Sequence, residues 1–295
     1  MLKIIDYNGA EHFENPCVLM LGYFDAMHVG HRALLHAARK LAAEENLKLG
    51  VMTFYDGKSG AQVYVFKERL SLYERLGADF VLAAHFDEAF RNTQKEDFLR
   101  RLFEKCNARA LVCGEDFSFG KGAKGSVNDL KREAAVRGAS VIVLPLVGIF
   151  KRRAAASLAK EYLAEGDIEK LNRLLVDRYF IEGLVSSEGR HVGTKIGFPT
   201  ANIHLPPDKY PLKQGVYAVS VPLEGREYRG IANWGSRPTF DDGRVVFEVF
   251  ADGYQGDLYG KEITVYFDRR IRDVKKFENA AALQAQLKQD LESIR

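Results

Sequence analysis

Two histidines three residues apart, His28 and His31, flank Gly30 within the stretch Gly22, Tyr23, Phe24, Asp25, Ala26, Met27, His28, Val29, Gly30, His31. Imidazoles so placed can donate to phosphate oxygens on which charge develops as pyrophosphate departs, and the glycine lets an anion come close to the chain. Asp25 lies near enough in sequence to orient a histidine or to attract magnesium. A second stretch, Gly114, Glu115, Asp116, Phe117, Ser118, Phe119, Gly120, combines glycines that free the backbone with aromatics that could flank a base. The plain alternatives are a turn carrying two surface histidines and a strand-to-loop turn whose phenylalanines are core. Far downstream, Glu248 interrupts the apolar, β-prone run Val245 to Phe250. A lone glutamate there reads first as an exposed residue on a half-buried strand.

The elements that must position these groups show as periodicity. Cys17 to Leu21 is a short apolar run, and beyond His31 the residues Leu34, Leu35, Ala38, Leu41 and Ala42 recur at helical spacing. The histidine stretch is therefore a strand-to-helix turn, which aims free backbone N–H groups and the positive end of a helix dipole at one point. Strand-like runs at 49–54, 80–84, 110–113 and 141–147 alternate with helical patterns near 31–44, 67–76, 95–105 and 127–137. Such alternation predicts an α/β domain whose parallel sheet is covered on both faces. Sheets of that kind bind ligands at the carboxyl ends of their strands, where both glycine-bearing stretches fall.

After the basic cluster Lys151, Arg152 and Arg153, a helical segment over 154–176 reads as a linker, giving domains at 1–176 and 177–295. The runs at 179–186, 216–221, 228–233, 245–250 and 262–267 are short, β-prone and separated by Gly, Pro and Asp. They predict a mostly antiparallel second domain, barrel or sandwich. A final helix has Asn279 as its N-cap and Leu283, Leu287, Leu291 and Ile294 as its apolar stripe.

Composition bounds the function. With 46% hydrophobic and 28% charged residues the chain suits ordinary globular cores, and a net charge of +3 argues against a dedicated nucleic-acid binder. Cys17, Cys106 and Cys113 show no metal-like spacing, no apolar run reaches membrane-spanning length, and residues 1–14 lack a signal peptide's apolar region. The expectation is a cytoplasmic enzyme with neither membrane nor nucleic-acid partner.

Taken together these residues resemble the bacterial bifunctional riboflavin kinase and FMN adenylyltransferase (FAD synthetase) family. Its motif Gly-x-Phe-Asp-Gly-x-His-x-Gly-His is recognisable at Gly22, Phe24, Asp25, His28, Gly30 and His31, and its Gly-x-Asp-Phe-x-Phe-Gly loop at Gly114, Asp116, Phe119 and Gly120. The family's Gly-Phe-Pro-Thr-Ala-Asn stands unaltered at Gly197 to Asn202. The resemblance implies a Rossmann-like nucleotidyltransferase domain followed by a β-barrel flavokinase domain with a terminal helix. The substrates and products it implies are riboflavin, FMN, FAD and ATP, with Mg2+. By resemblance Thr200 and Asn202, oxygen donors on a turn fixed by Pro199, hold magnesium and ATP phosphates. Gly193, Lys195 and Gly197 form a basic, flexible approach to that turn. Glu248 becomes the base for the ribityl hydroxyl. By the same resemblance Asn233, Arg237, Thr239, Arg272 and Phe277 fall in segments expected to adjoin the flavin.

Three departures concern the first domain. Ala26 replaces the motif's second glycine, which matters only if positive φ is needed there. Tyr55, Asp56, Gly57 and Lys58 stand where the family has Pro-His-Pro. Ala155, Ala156, Ser157 and Lys160 occupy the positions of the family's Ser-Ser-Thr-x-Ile-Arg, leaving one hydroxyl and a lysine, with Arg152 and Arg153 as nearby charge. Two readings follow: a first domain that adenylylates FMN, or a degenerate one serving as a flavin or nucleotide sensor or assembly module on a riboflavin kinase.

Overall fold

The computed structural model describes residues 2–57, 60–186, 198–237 and 242–295, with backbone alone for 236–237 and 242–245. The chain divides into two compact units, residues 1–156 and 157–295.

The first unit is built on a six-stranded sheet. Its strands are β1 (Lys3–Asp6), β2 (Phe13–Leu21), β3 (Lys48–Phe54), β4 (Phe80–Ala84), β5 (Cys106–Gly114) and β6 (Ser140–Leu144). They lie in the order β1-β4-β3-β2-β5-β6, every pairing parallel. The apolar runs form strands because parallel strands under helices are buried on both faces; Val18 to Met20, Phe80 to Ala83 and Ala110 to Cys113 are essentially inaccessible. The helices α1 (Val29–Glu44), α2 (Phe66–Arg75), α3 (Glu88–Arg91), α4 (Lys95–Lys105) and α5 (Val127–Val136) occupy the connections. The chain winds from β2 outward to β3 and β4, then returns to the far side of β2 as β5, so the carboxyl ends of β2 and β5 mark the switch point where such sheets open a crevice. The run expected as a strand over 141–147 stops at Leu144, and a two-residue hairpin follows, β7 (Gly148–Ile149) with β8 (Arg152–Arg153). All three cysteines are buried and free, and burial pushes the Cys17 thiol up to about 12.

The second unit opens with α6 (Ala156–Glu165), whose first residue closes the first unit, and α7 (Ile168–Leu174). The expected single helix is broken at Gly166, where φ is +75° and a Cβ would lie 2.7 Å from Cδ of Arg270. The Asn172 side chain fixes α7 to the sheet: its Nδ2 donates to Phe267 O at 2.8 Å and its Oδ1 accepts from Tyr179 N at 2.7 Å. Six strands then close a barrel: β9 (Phe180–Ser186), β10 (Ala201–Ile203), β11 (Gly215–Leu223), β12 (Arg226–Arg237), β13 (Asp242–Ala251) and β14 (Glu262–Arg272), in the order β10-β13-β12-β11-β14-β9. All pairings are antiparallel. Closure removes exposed edges. Tyr217, Phe247, Phe267 and Trp234 meet in the barrel interior with ring centroids 5.5 to 5.7 Å apart. The C-terminal helix (Ala280–Glu292) is capped by Asn279, whose Oδ1 accepts from Ala282 N at 2.9 Å. It packs Leu287, Leu291 and Ile294 against Val216, Ile231, Phe250 and Phe198 on the barrel's outer face.

Candidate functional site

In the first unit the β2-to-α1 turn builds one wall of a cavity of about 700 Å3 at the switch point. Gly22, Phe24, His28, Gly30 and His31 all line it. Phe24 takes positive φ, 54°, and tucks its ring beneath Gly22, where a Cβ would lie 2.7 Å from the ring. Gly30 is similarly fixed, since a Cβ there would meet the His28 ring at 3.1 Å. The two imidazoles stack at 3.6 Å and 20° at the start of α1, with His28 as the N-cap residue. The Nδ1 of His31 lies 3.2 Å from Ala26 O, while Nδ1 of His28 is buried with no hydrogen-bond partner. An orphaned imidazole nitrogen at a helix N-terminus suits an anionic ligand. Burial, with the charge of Arg153, pushes His28 down to about 4; burial, with His28, holds His31 well below its ordinary value.

The opposite wall comes from the turn after β5. Gly114, Asp116, Phe119 and Gly120 line the cavity, so the two glycine-bearing stretches do converge. Gly120 needs its positive φ of 74° and passes 2.9 Å, measured from a hypothetical Cβ, from the backbone of Lys95. Phe119 is both core and lining, only 6% exposed and stacked on Phe98 at 4.8 Å. Arg153 also lines the cavity and forms an ion pair with Asp116 at its mouth.

One expectation changes here. Asp25 does not line the cavity: its carboxylate is 3% exposed and accepts from Val63 N at 2.8 Å and Tyr64 N at 3.3 Å, tying down the loop that follows β3. A carboxylate is needed there because two buried N–H groups would otherwise lack a partner. Ala26 does not take positive φ, so alanine in place of the motif's glycine strains nothing. In the Tyr55 segment, the Tyr55 ring stacks on His85 at 4.6 Å, and Nδ1 of His85 lies 2.8 Å from Asp56 Oδ2. The cavity floor is Ala154, Ala155 and Ala156, which offer no side-chain donor. Ser157 and Lys160 lie on α6 in the second unit, where Lys160 Nζ sits 5.4 Å from the Tyr210 ring.

In the second unit the barrel register aligns the expected residues. Asn202 of β10 pairs with Glu248 of β13, and Glu248 pairs with Asn233 of β12. Residues directly opposite in adjacent strands share a face, so these three side chains form one transverse row. The row continues through Val216 to Arg272 of β14. It lies on the outer face that also carries Ile231 and Phe250, beside the C-terminal helix, opposite the interior face of Trp234, Phe247 and Val249. Phe198 anchors the preceding turn through its 5.1 Å contact with Phe250, and Pro199 and Thr200 lead from it into β10. Thr200 and Asn202 offer neutral oxygen donors beside a carboxylate, a set that fits a hard divalent cation.

Arg272 is engaged elsewhere. Its guanidinium pairs with Asp290 of the C-terminal helix at 2.8 Å and lies 5.7 Å from the Phe277 ring. Sequence reasoning missed Asp290, which is 2% exposed and follows Lys288 and Gln289 in the helix with no motif signal. Gly193, Lys195, Gly197 and Thr239 lie outside the described residues, as does the Arg237 side chain. Among the described residues no group of three His, Cys, Asp or Glu side chains could hold a metal ion.

Comparisons with known proteins agree with this division. The FAD synthetase family model matches residues 10–157 and the riboflavin kinase model residues 175–295. The bifunctional riboflavin kinase/FMN adenylyltransferase of Bacillus subtilis is 31% identical, covering 92% of this chain and 90% of the relative. That of Haemophilus influenzae is 32% identical, covering 99% and 98%, and that of Escherichia coli K12 is 32% identical, covering 96% and 93%. A crystal structure described as a macrolide-efflux protein from Streptococcus pneumoniae superposes with a TM-score of 0.86 at 29% identity, over 100% of this chain and 99% of that one. Among the described residues of this chain no helix is long and apolar enough to cross a membrane. The chain belongs to the bifunctional riboflavin kinase/FMN adenylyltransferase family.

Proposed function

We propose that the chain acts in flavin cofactor synthesis in the cytoplasm, phosphorylating riboflavin to FMN with MgATP in its second unit and adenylylating FMN to FAD in its first. The observation that carries the kinase reading is the row Asn202, Glu248, Asn233 across three barrel strands. Glu248 takes the proton of the ribityl hydroxyl as that oxygen attacks the γ-phosphate and ADP leaves. Thr200 and Asn202 hold Mg2+, which neutralises phosphate charge when bound. Asn233 and Phe277 face the flavin side, and Arg272 supports that side by holding the helix.

In the first unit, FMN phosphate oxygen attacks the α-phosphate of ATP and pyrophosphate leaves. His28 and His31 donate to the phosphates over the α1 N-terminus, whose open N–H groups favour anions. Arg153 takes the place that a more basic floor would fill, exchanging Asp116 for a phosphate. Riboflavin plus MgATP, with FMN and FAD separated by chromatography, tests both halves. No FMN overturns the kinase reading, and FMN without FAD overturns the adenylyltransferase reading. The alanine floor favours a second reading, a first unit that binds nucleotide without turnover, and that reading predicts FMN alone.

A further inference from the structure

The cavity of the first unit has an apolar end that the histidine turn does not explain. Phe86, Phe54, Phe90, Phe98 and Phe119 form a continuous wall, with consecutive ring centroids 5.1, 5.1, 6.3 and 4.8 Å apart. At its outer end stands Arg91, the last residue of α3, which also lines the cavity. Its guanidinium lies 5.5 Å from the Phe86 ring centroid and its Nε donates to Asp87 O at 3.4 Å. Among the described residues no carboxylate is in ion-pair contact with Arg91, whereas Arg153, the other lining arginine, is held by Asp116. A guanidinium stacked on a phenyl ring is oriented but keeps most of its five donors available.

We propose that Arg91 is a specificity-determining residue that reads the acceptor edge of an isoalloxazine ring lying along the phenylalanine wall. The inference rests on the adenylyltransferase reading, which brings an FMN phosphate to the His28 and His31 end of the same cavity. With the phosphate there, the ribityl chain spans the cavity and the tricyclic ring lies on the apolar wall. The pyrimidine edge of oxidised flavin presents N1 and the C2 carbonyl side by side, two acceptors that match two parallel N–H donors. Adenine alternates an amino donor with a ring-nitrogen acceptor on its polar edges, so a donor-only group matches it poorly.

The test uses the full chain and R91M, which keeps an apolar stem over Phe86 and removes the donors, together with R91K. A thermal melt of each variant that matches the parent chain's reports that the first unit is folded. In FAD formation R91M should raise the KM for FMN about tenfold, the scale of a hydrogen bond to a charged group, and leave the KM for ATP within about twofold. R91K should fall between. An FMN analogue with a C2 thiocarbonyl, a poor acceptor, should lose affinity with the parent chain and lose none further with R91M. An unchanged KM for FMN, or a rise in the KM for ATP instead, overturns the proposal. If the parent chain makes no FAD, the adenylyltransferase reading fails by itself. Quenching of FMN fluorescence then decides for Arg91: loss of one class of FMN site in R91M supports its role, and identical titrations reject it.

Discussion

A glutamate acts as a base only where the fold aims it, and the barrel register sets Glu248 between two amides, Asn202 and Asn233. Replacing it by glutamine keeps the shape and removes the proton acceptor. E248Q should lower kcat for FMN formation roughly 100- to 10,000-fold while riboflavin binding, followed by fluorescence quenching, stays within a few-fold. The histidines of the first unit make a different demand. An unfolded histidine binds a proton near 6.5, but folded His28 does so only near 4, and His31 is shifted in the same direction. Between those pH values the unfolded chain binds more protons, so stability is fully present above about 6.5 and falls as the pH drops toward 4. Each histidine contributes a slope of up to about 1.4 kcal/mol per pH unit. Thermal melts from pH 7 to 4.5 should show the first unit losing stability, and H28Q should flatten that loss. Addition of ATP should raise the His28 titration midpoint in histidine NMR, because phosphate charge favours the imidazolium.

At the level of elements, the row on the barrel lies beside the C-terminal helix, and the buried Arg272–Asp290 ion pair joins that helix to β14. Arg272 is 17% exposed and Asp290 2%, so removing one partner leaves a charge in a poorly hydrated place. D290A should cost about 3 to 5 kcal/mol in denaturant unfolding and raise the KM for riboflavin, whereas D273A, whose carboxylate is 82% exposed beside Arg270, should leave the unfolding midpoint nearly unchanged. The helix itself was legible in the sequence through Asn279 and its leucine spacing, and so were the buried strands of the first unit, because local periodicity states both. Other elements were hidden. β10 is three residues long inside a motif that contains proline, and β1 is a four-residue outer strand that alternates exposed Ile4 with buried Ile5. Arg272 and Asp290 lie 18 residues apart and meet because the C-terminal helix packs back on the barrel. Asp25 looked like a phosphate-side carboxylate because the loop it holds, Val63 to Tyr64, comes 38 residues later.

Across the whole molecule, the motif residues predicted two chemistries and the fold gathers each set in its own unit: the histidine turn with the Gly114 loop by the crossover of a parallel sheet, and Asn202, Asn233 and Glu248 by antiparallel register. Neither strand order nor barrel closure is written in local sequence, since both arise from pairings between distant segments. If the proposed function holds, one chain with two consecutive reactions has a product ratio set by its weaker site, and the alanine floor of the first cavity predicts that this is the first unit. Ala155 and Ala156 line the cavity next to Arg153, without side-chain hydrogen-bond donors. Hydroxyls restored there reach the region where leaving-group charge develops, and each new hydrogen bond to a charged phosphate is worth about 1.5 to 3 kcal/mol. A155S/A156S should therefore raise kcat/KM for FAD formation by at least about tenfold. FMN formation, which the proposed function places in the second unit, should not change. Time courses from riboflavin and MgATP should then show FMN accumulating early in the parent chain and passing through to FAD in the double variant. An unaltered FAD to FMN ratio, with the fold intact by thermal melt, would show that the floor is not what limits the first unit.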